Sequence, residues 1–223
     1  MQRSSSPAFA ALAAFAAFAI GALCLTVPGA AAAAVPESGE ATVTILAGWR
    51  GVPQHALMAE LARDGESPSH PAFQPNFLLQ LGFQPDDDLH ISVDLGYGLD
   101  SWKLANGDAS VSIVNVLLSG DTALLKGKGW SWYLGGGLGY SLNTFSRGGR
   151  ATESNGSAGF LKTGFRWQLK GPVALVIEDR YTIASADYPE LKSIVNVGGN
   201  TLSIGLQFHF LSPEDKGHPD TRR

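Results

Sequence analysis

From Thr201 to Phe210 every second residue is large and apolar: Leu202, Ile204, Leu206, Phe208 and Phe210, with Ser203, Gly205, Gln207 and His209 between them. A period of two makes a strand with one oily face and one small or polar face. Such a strand needs neighbours on its edges and a cover for its oily face. The neighbours are present. Seven earlier segments read as strands, at about 42–49, 76–84, 89–99, 109–118, 130–143, 156–169 and 173–183, and the eighth closes at Phe210. Turn signals separate several of them, such as Pro85-Asp-Asp-Asp88, Asn106-Gly107-Asp108 and Lys170-Gly171-Pro172.

The links are expected to alternate. Long ones fall at 50–75, 144–155 and 185–200, together with the link holding Asn106-Gly107-Asp108. Shorter ones fall at 85–88, 119–129 and 170–172. In an up-and-down meander with both termini at one end, the first set lies on one rim and the second on the other.

The chain opens with an export signal. Arg3 is the only charge before Glu37, residues 8–27 are almost wholly apolar, and small residues follow to Ala34. This pattern predicts a signal peptide over 1–34, cleaved near Ala32 or Ala34. The alternative is a spanning anchor, since the run is about long enough. No later run reaches 18 apolar residues, so no second helical span is expected. The only cysteine, Cys24, leaves with the signal. The mature chain then has no disulfide, no thiolate metal site and no cysteine nucleophile, and no cofactor is implied. A mildly acidic balance, formally −4 for the whole chain, argues against a nucleic-acid partner. Residues 35–210 suit one domain, and 211–223 read as a polar, disordered tail.

Alternation assigns the two faces. Ile91, Val93, Leu95, Tyr97 and Leu99 share one side of the third strand, and His90, Ser92, Asp94, Gly96 and Gly98 the other. The fifth strand sets Trp130, Trp132, Leu134, Leu138, Tyr140 and Leu142 against Ser131, Tyr133, Gly135, Gly137, Gly139 and Ser141. A soluble barrel of lipocalin type would turn the bulky side inward. A membrane barrel turns it toward lipid and fills a narrow lumen with small and charged residues. The glycine-rich minority face fits the second case. Asp94, Lys162, Arg166, Glu178 and Arg180 then face inward and are expected to form a lumenal charge network that plugs the barrel. Asp179 falls outward by parity, in the headgroup zone or at a bulge. Trp49, Trp102, Trp130, Tyr140 and Tyr181 are candidates for an interfacial aromatic belt.

Little else carries chemistry. His90 and Asp94 lie four apart on one face, as a base and its orienter would, but lumen filling is the simpler reading. His55 and His70 sit in the first loop at arbitrary spacing. Gly135-Gly-Gly137-X-Gly139 has no following helix and no Lys-Ser/Thr, so it is not a phosphate loop.

Three segments carry a resemblance. Trp132-Tyr-Leu-Gly-Gly-Gly-Leu-Gly-Tyr140, Val176-Ile-Glu-Asp-Arg-Tyr-Thr182 and Leu202-Ser-Ile-Gly-Leu-Gln-Phe-His-Phe210 look like successive strands of small outer-membrane β-barrel proteins of the OmpA/OmpW-like, porin-like superfamily of Gram-negative bacteria. The resemblance implies an eight-stranded antiparallel up-and-down transmembrane β-barrel in the cell outer membrane. It implies outer-membrane lipid as surroundings, and barrel-assembly machinery and periplasmic chaperones as partners in biogenesis. Phe208 and Phe210 are implied as the assembly signal, although thirteen residues follow Phe210 where the family ends on its aromatic. The expected role is structural, adhesive or small-molecule passage, not enzymatic. A lipid hydrolase on the same scaffold is the enzymatic alternative. Oligomeric state is left open.

Overall fold

The computed structural model describes residues 39–51, 74–86, 88–104, 107–188 and 193–210. The expected signal peptide and the tail lie outside these residues, as do His55 and His70. The described chain is all strand: β1 Glu40–Gly51, β2 Pro75–Gln84, β3 Leu89–Leu104, β4 Gly107–Gly127, β5 Trp130–Arg147, β6 Arg150–Gln168, β7 Val173–Tyr188, β8 Ser193–Asn196 and β9 Gly199–Phe210. From β1 to β8 each pairs antiparallel with the next. β1 also pairs with β9, β9 with β7 and β7 with β6, which closes the ring. β8 continues the line of β9 along the end of β7, with Ser185 opposite Asn196 and Thr182 opposite Gly199. The two pieces are therefore one strand, interrupted at Val197 and Gly198, and the barrel is eight-stranded.

The register fixes the shape. Cα partners lead from Ala41 through Phe83, Ile91, Gly120, Gly136, Leu161, Tyr181 and Asn200 back to β1 at Gly51, ten residues beyond the start. Eight strands with a stagger of ten tilt by about 40° and leave a backbone radius of about 8 Å. An interior that narrow is filled by side chains.

Two expectations are corrected. The 119–129 and 144–155 segments are strand rather than link. β4 runs on to Gly127, and β5 and β6 continue to a two-residue turn at Gly148-Gly149. Both glycines have positive φ, +56° and +81°, as the tight hairpin turn that matches strand twist requires. The long 185–200 loop is likewise mostly paired, as β7 extends to Tyr188 and β8 lies beside it. Long strands rather than long loops thus build much of that rim.

The second correction is Trp102. It is buried, 2 % exposed, and points inward. Even-numbered residues of β3 face the lumen from His90 upward, and Trp102 obeys that parity. Proximity to a strand end was the wrong guide. The interior changes character there. Beside Trp102 lie Ala109, Val111, Ile113, Phe145, Ala186 and Tyr188 in an apolar cluster, with the Phe145 and Tyr188 rings 5.6 Å apart. The outward residues of the same stretch are polar: Ser101 and Lys103, Asp108 and Ser110, Thr144 and Ser146, Glu153 and Asn155, Ser185 and Asp187. Nearer the short turns the pattern inverts, with Ile45, Phe77, Leu81, Val93, Leu118, Leu138, Leu161, Ile177 and Ile204 exposed outward. On β3 this apolar band runs from Leu89 to Leu99, about 25 Å along the axis at the tilt above.

Candidate functional site

The inward face behind the apolar band is charged. Its hub is Asp121 on β4. One oxygen accepts from Arg166 Nη2 at 2.7 Å; the other lies 2.9 Å from Lys162 Nζ and 3.2 Å from His90 Nδ1. His90 Nε2 contacts Thr42 Oγ1 at 2.8 Å. Higher up, Arg180 donates to Asp94 at 2.7 Å and to Glu178 at 2.9 Å. Glu178 accepts from the Tyr133 hydroxyl at 3.0 Å and lies 4.0 Å from Lys162 Nζ. Asp94 also accepts from the Ser92 hydroxyl at 2.6 Å, and Gln80 Nε2 spans Asp94 and Glu178 at 3.5 and 3.4 Å. The Arg166 guanidinium sits 4.0 Å from the Tyr133 ring centre, and Arg180 lies equally close to Phe160.

Five sequence-predicted residues, Asp94, Lys162, Arg166, Glu178 and Arg180, thus come together. Asp94, at 0 % exposed, is fully buried. With Asp121 the set holds three carboxylates and three cations, so formal charge cancels. Burying any one of them alone would be prohibitive; pairing with hydrogen bonds on the remaining lone pairs makes the group tolerable. Glycines make the room. A Cβ at Gly164 would collide with the Tyr133 hydroxyl, and one at Gly82 with the His90 ring.

Asp121 was missed because 119–129 reads as a link. The available signal was alternation: Ile113, Leu117, Ser119 and Asp121 continue one inward phase along β4. His90 and Asp94 both fill the lumen without meeting; His90 contacts Thr42 and Asp121. His209 is also inward, 3.3 Å from Glu40. Both histidines lie toward the short-turn end of the lumen. Among the described residues no group of three His, Cys, Asp or Glu side chains is placed to hold a metal.

The network divides the lumen. Beyond it, toward Arg50, lies a cavity of about 30 Å³ lined by Asn115, Arg180, Thr182 and Ser203 among others, room for one or two waters. Below it a vestibule of about 460 Å³ opens at the short-turn end, past His90, Arg166, Gln168 and His209. Above the small cavity Arg50 is 3.6 Å from Asp100 and donates to the carbonyls of Val197 and Gly198. Then comes the apolar cluster.

On the outside, Trp49, Trp130, Tyr140 and Tyr181 are all exposed. The register and tilt bring Trp49, Tyr97, Tyr140 and Tyr181 within about 4 Å of one level, and Trp130, Trp132, Trp167 and Phe208 to a second, about 20 Å lower. Phe208 and Phe210 end β9 against Val43 and Ala41 of β1. Asp179 is outward and exposed, in unbroken register with Thr163 and Leu202. No bulge rotates it, and its level lies near the middle of the apolar band.

No family model matches the chain, and no curated protein sequence does. Solved structures do. Outer membrane protein OprG from Pseudomonas aeruginosa superposes with a TM-score of 0.51 at 15% identity, over 79% of this chain and 98% of that one. Neisserial surface protein A gives 0.50 at 17% identity, over 77% and 97%. At such identities the likeness concerns the fold alone, and that fold is the small outer-membrane β-barrel.

Proposed function

We propose that this chain is a closed-lumen barrel of the OmpA/OmpW-like superfamily, resident in the cell outer membrane, with a structural or surface-presenting, adhesive role. The observation that supports it is the inversion between the two faces. An apolar outer band about 25 Å tall stands behind a charge-balanced inner network, an arrangement that suits lipid outside and ion pairs inside. A soluble carrier would need the reverse. Trp49, Tyr140 and Tyr181 form one interfacial girdle and Trp130 belongs to the other. Phe208 and Phe210, at the seam with β1, serve as the assembly signal read by the barrel-assembly machinery after periplasmic chaperones deliver the chain.

Passage of small molecules straight through the lumen is disfavoured, since a solute would have to displace paired, buried charges. The β3–β4 and β5–β6 hairpins, stiffened by their own apolar core, instead extend beyond the band as rigid projections toward the outside. The test is detergent-phase partition with heat-modifiability on a gel. A folded barrel enters the detergent phase and shifts mobility on boiling. Recovery in the soluble periplasm without detergent would overturn the membrane reading.

A further inference from the structure

Near the middle of the apolar outer band two polar side chains interrupt it: Thr163 on β6 and Asp179 on β7, direct Cα partners across the strand pair. Leu161, Ile177, Tyr181 and Leu202 surround them, all exposed. We propose that this β6–β7 wall is the contact between two copies of the chain within the membrane, with each Asp179 carboxyl meeting Thr163 of the partner subunit. The inference rests on the membrane reading above.

Depth excludes the other occupants. At mid-band a lipid offers only hydrocarbon, and neither headgroup nor water is within reach. Long Lys and Arg side chains escape by snorkelling, but an aspartate is too short. A polar group held there calls for a protein neighbour.

Symmetry then selects a second copy. Two copies inserted in the same direction are related by a two-fold axis along the membrane normal, and such a contact is self-complementary. With the axis between β6 and β7, β6 of one copy faces β7 of the other. Asp179 and the partner's Thr163 then differ in depth by only about 3 Å at the strand tilt derived above, and the contact is made twice. Donors are at hand. The Thr163 hydroxyl, now donating to the Tyr133 carbonyl at 2.9 Å, is adjoined by the Trp132 indole N–H, which donates to Thr163 Oγ1 at 2.8 Å. Either is placed to turn to a carboxyl arriving from outside. The surrounding aliphatic side chains supply the packing.

The experiment uses the full chain, with Cys24→Ser, in liposomes. Copies carrying Thr163→Cys are mixed with copies carrying Asp179→Cys and oxidised, beside a Val93→Cys control on the opposite wall. The mixed pair should cross-link well above the control. In dilute vesicles Asp179→Leu should weaken self-association about tenfold, with heat-modifiability unchanged. Cross-linking no greater than at Val93, or association indifferent to Asp179→Leu, overturns the proposal. Failure of the membrane reading itself is separate: the unmodified protein would stay in the aqueous phase and show no heat-modifiable band.

Discussion

Asp121 serves three partners with two oxygens, and its removal is the sharpest test of the network. In Asp121→Ala, Arg166 and Lys162 lose their nearest carboxylate while staying inside the barrel. Breaking a buried pair from one side costs about 3–5 kcal/mol, because the remaining charge is uncompensated. The expected outcome is an unfolding free energy, from urea titration in lipid vesicles, lower by that amount, with Asp121→Asn intermediate. A change under 1 kcal/mol would show that water already screens the site. The five other members of the cluster were legible as same-face residues on single strands. Their pairing was not, because partners such as Asp94 and Arg180 are 86 residues apart and meet only through ring closure.

Hairpins carry the next level of explanation. At the β2–β3 turn Asp86 Oδ1 accepts from the backbone N–H of Asp88 at 2.8 Å and of Leu89 at 2.7 Å. These two donors hold its carboxyl below the usual carboxylate range. A lowered folded-state value means the turn is stabilised above the ordinary carboxylate range, and that this contribution fades as pH falls through the lowered value. Asp86→Ala should reduce hydrogen-exchange protection at Asp88 and Leu89 at neutral pH, and acid should reduce it in the unmodified chain; equal protection in both would sink the point. At the opposite rim, Phe145→Ala removes a fully buried ring from the apolar cluster. The expected loss is about 3–5 kcal/mol, confined to the projecting parts of β3–β7. Hydrogen exchange should quicken at β5 and β6 beyond Leu142 while the band-level amides stay protected. The sequence showed these turns as Gly- and Asp-rich links. It did not show that the flanking residues pair, since Ser, Thr, Asn and Arg carry no apolar alternation on the outer face there.

For the molecule as a whole, the lumen is two separate spaces with ion pairs and Tyr133 between them. A barrel of about 8 Å backbone radius has no spare cross-section around such a plug. Liposomes bearing the protein should swell in small sugars no faster than protein-free vesicles. A rate that climbs with protein content would overturn the closed-lumen reading. The two-layer design also places the charged interior within the band and the apolar interior beyond it, so each stretch of sheet presents to its surroundings the kind of residue its own core excludes.

Alternation alone determined that eight strands would carry one bulky and one small or charged face, and that five charges would share the inner side, because side-chain direction in a strand depends only on parity. Tertiary structure decided the rest. Stagger around the ring set the depth of every outward residue, which put Asp179 in mid-band rather than at the headgroups. The register that sets Asp121 opposite Gly135 and Gly135 opposite Lys162 brought Asp121 to Lys162 and Arg166. Continued pairing beyond the band reversed the meaning of an apolar side chain, so Trp102 belongs to a core and not to a belt. Depth and pairing arise from the register of whole strands against one another around the ring, which the alternation within any single strand does not encode.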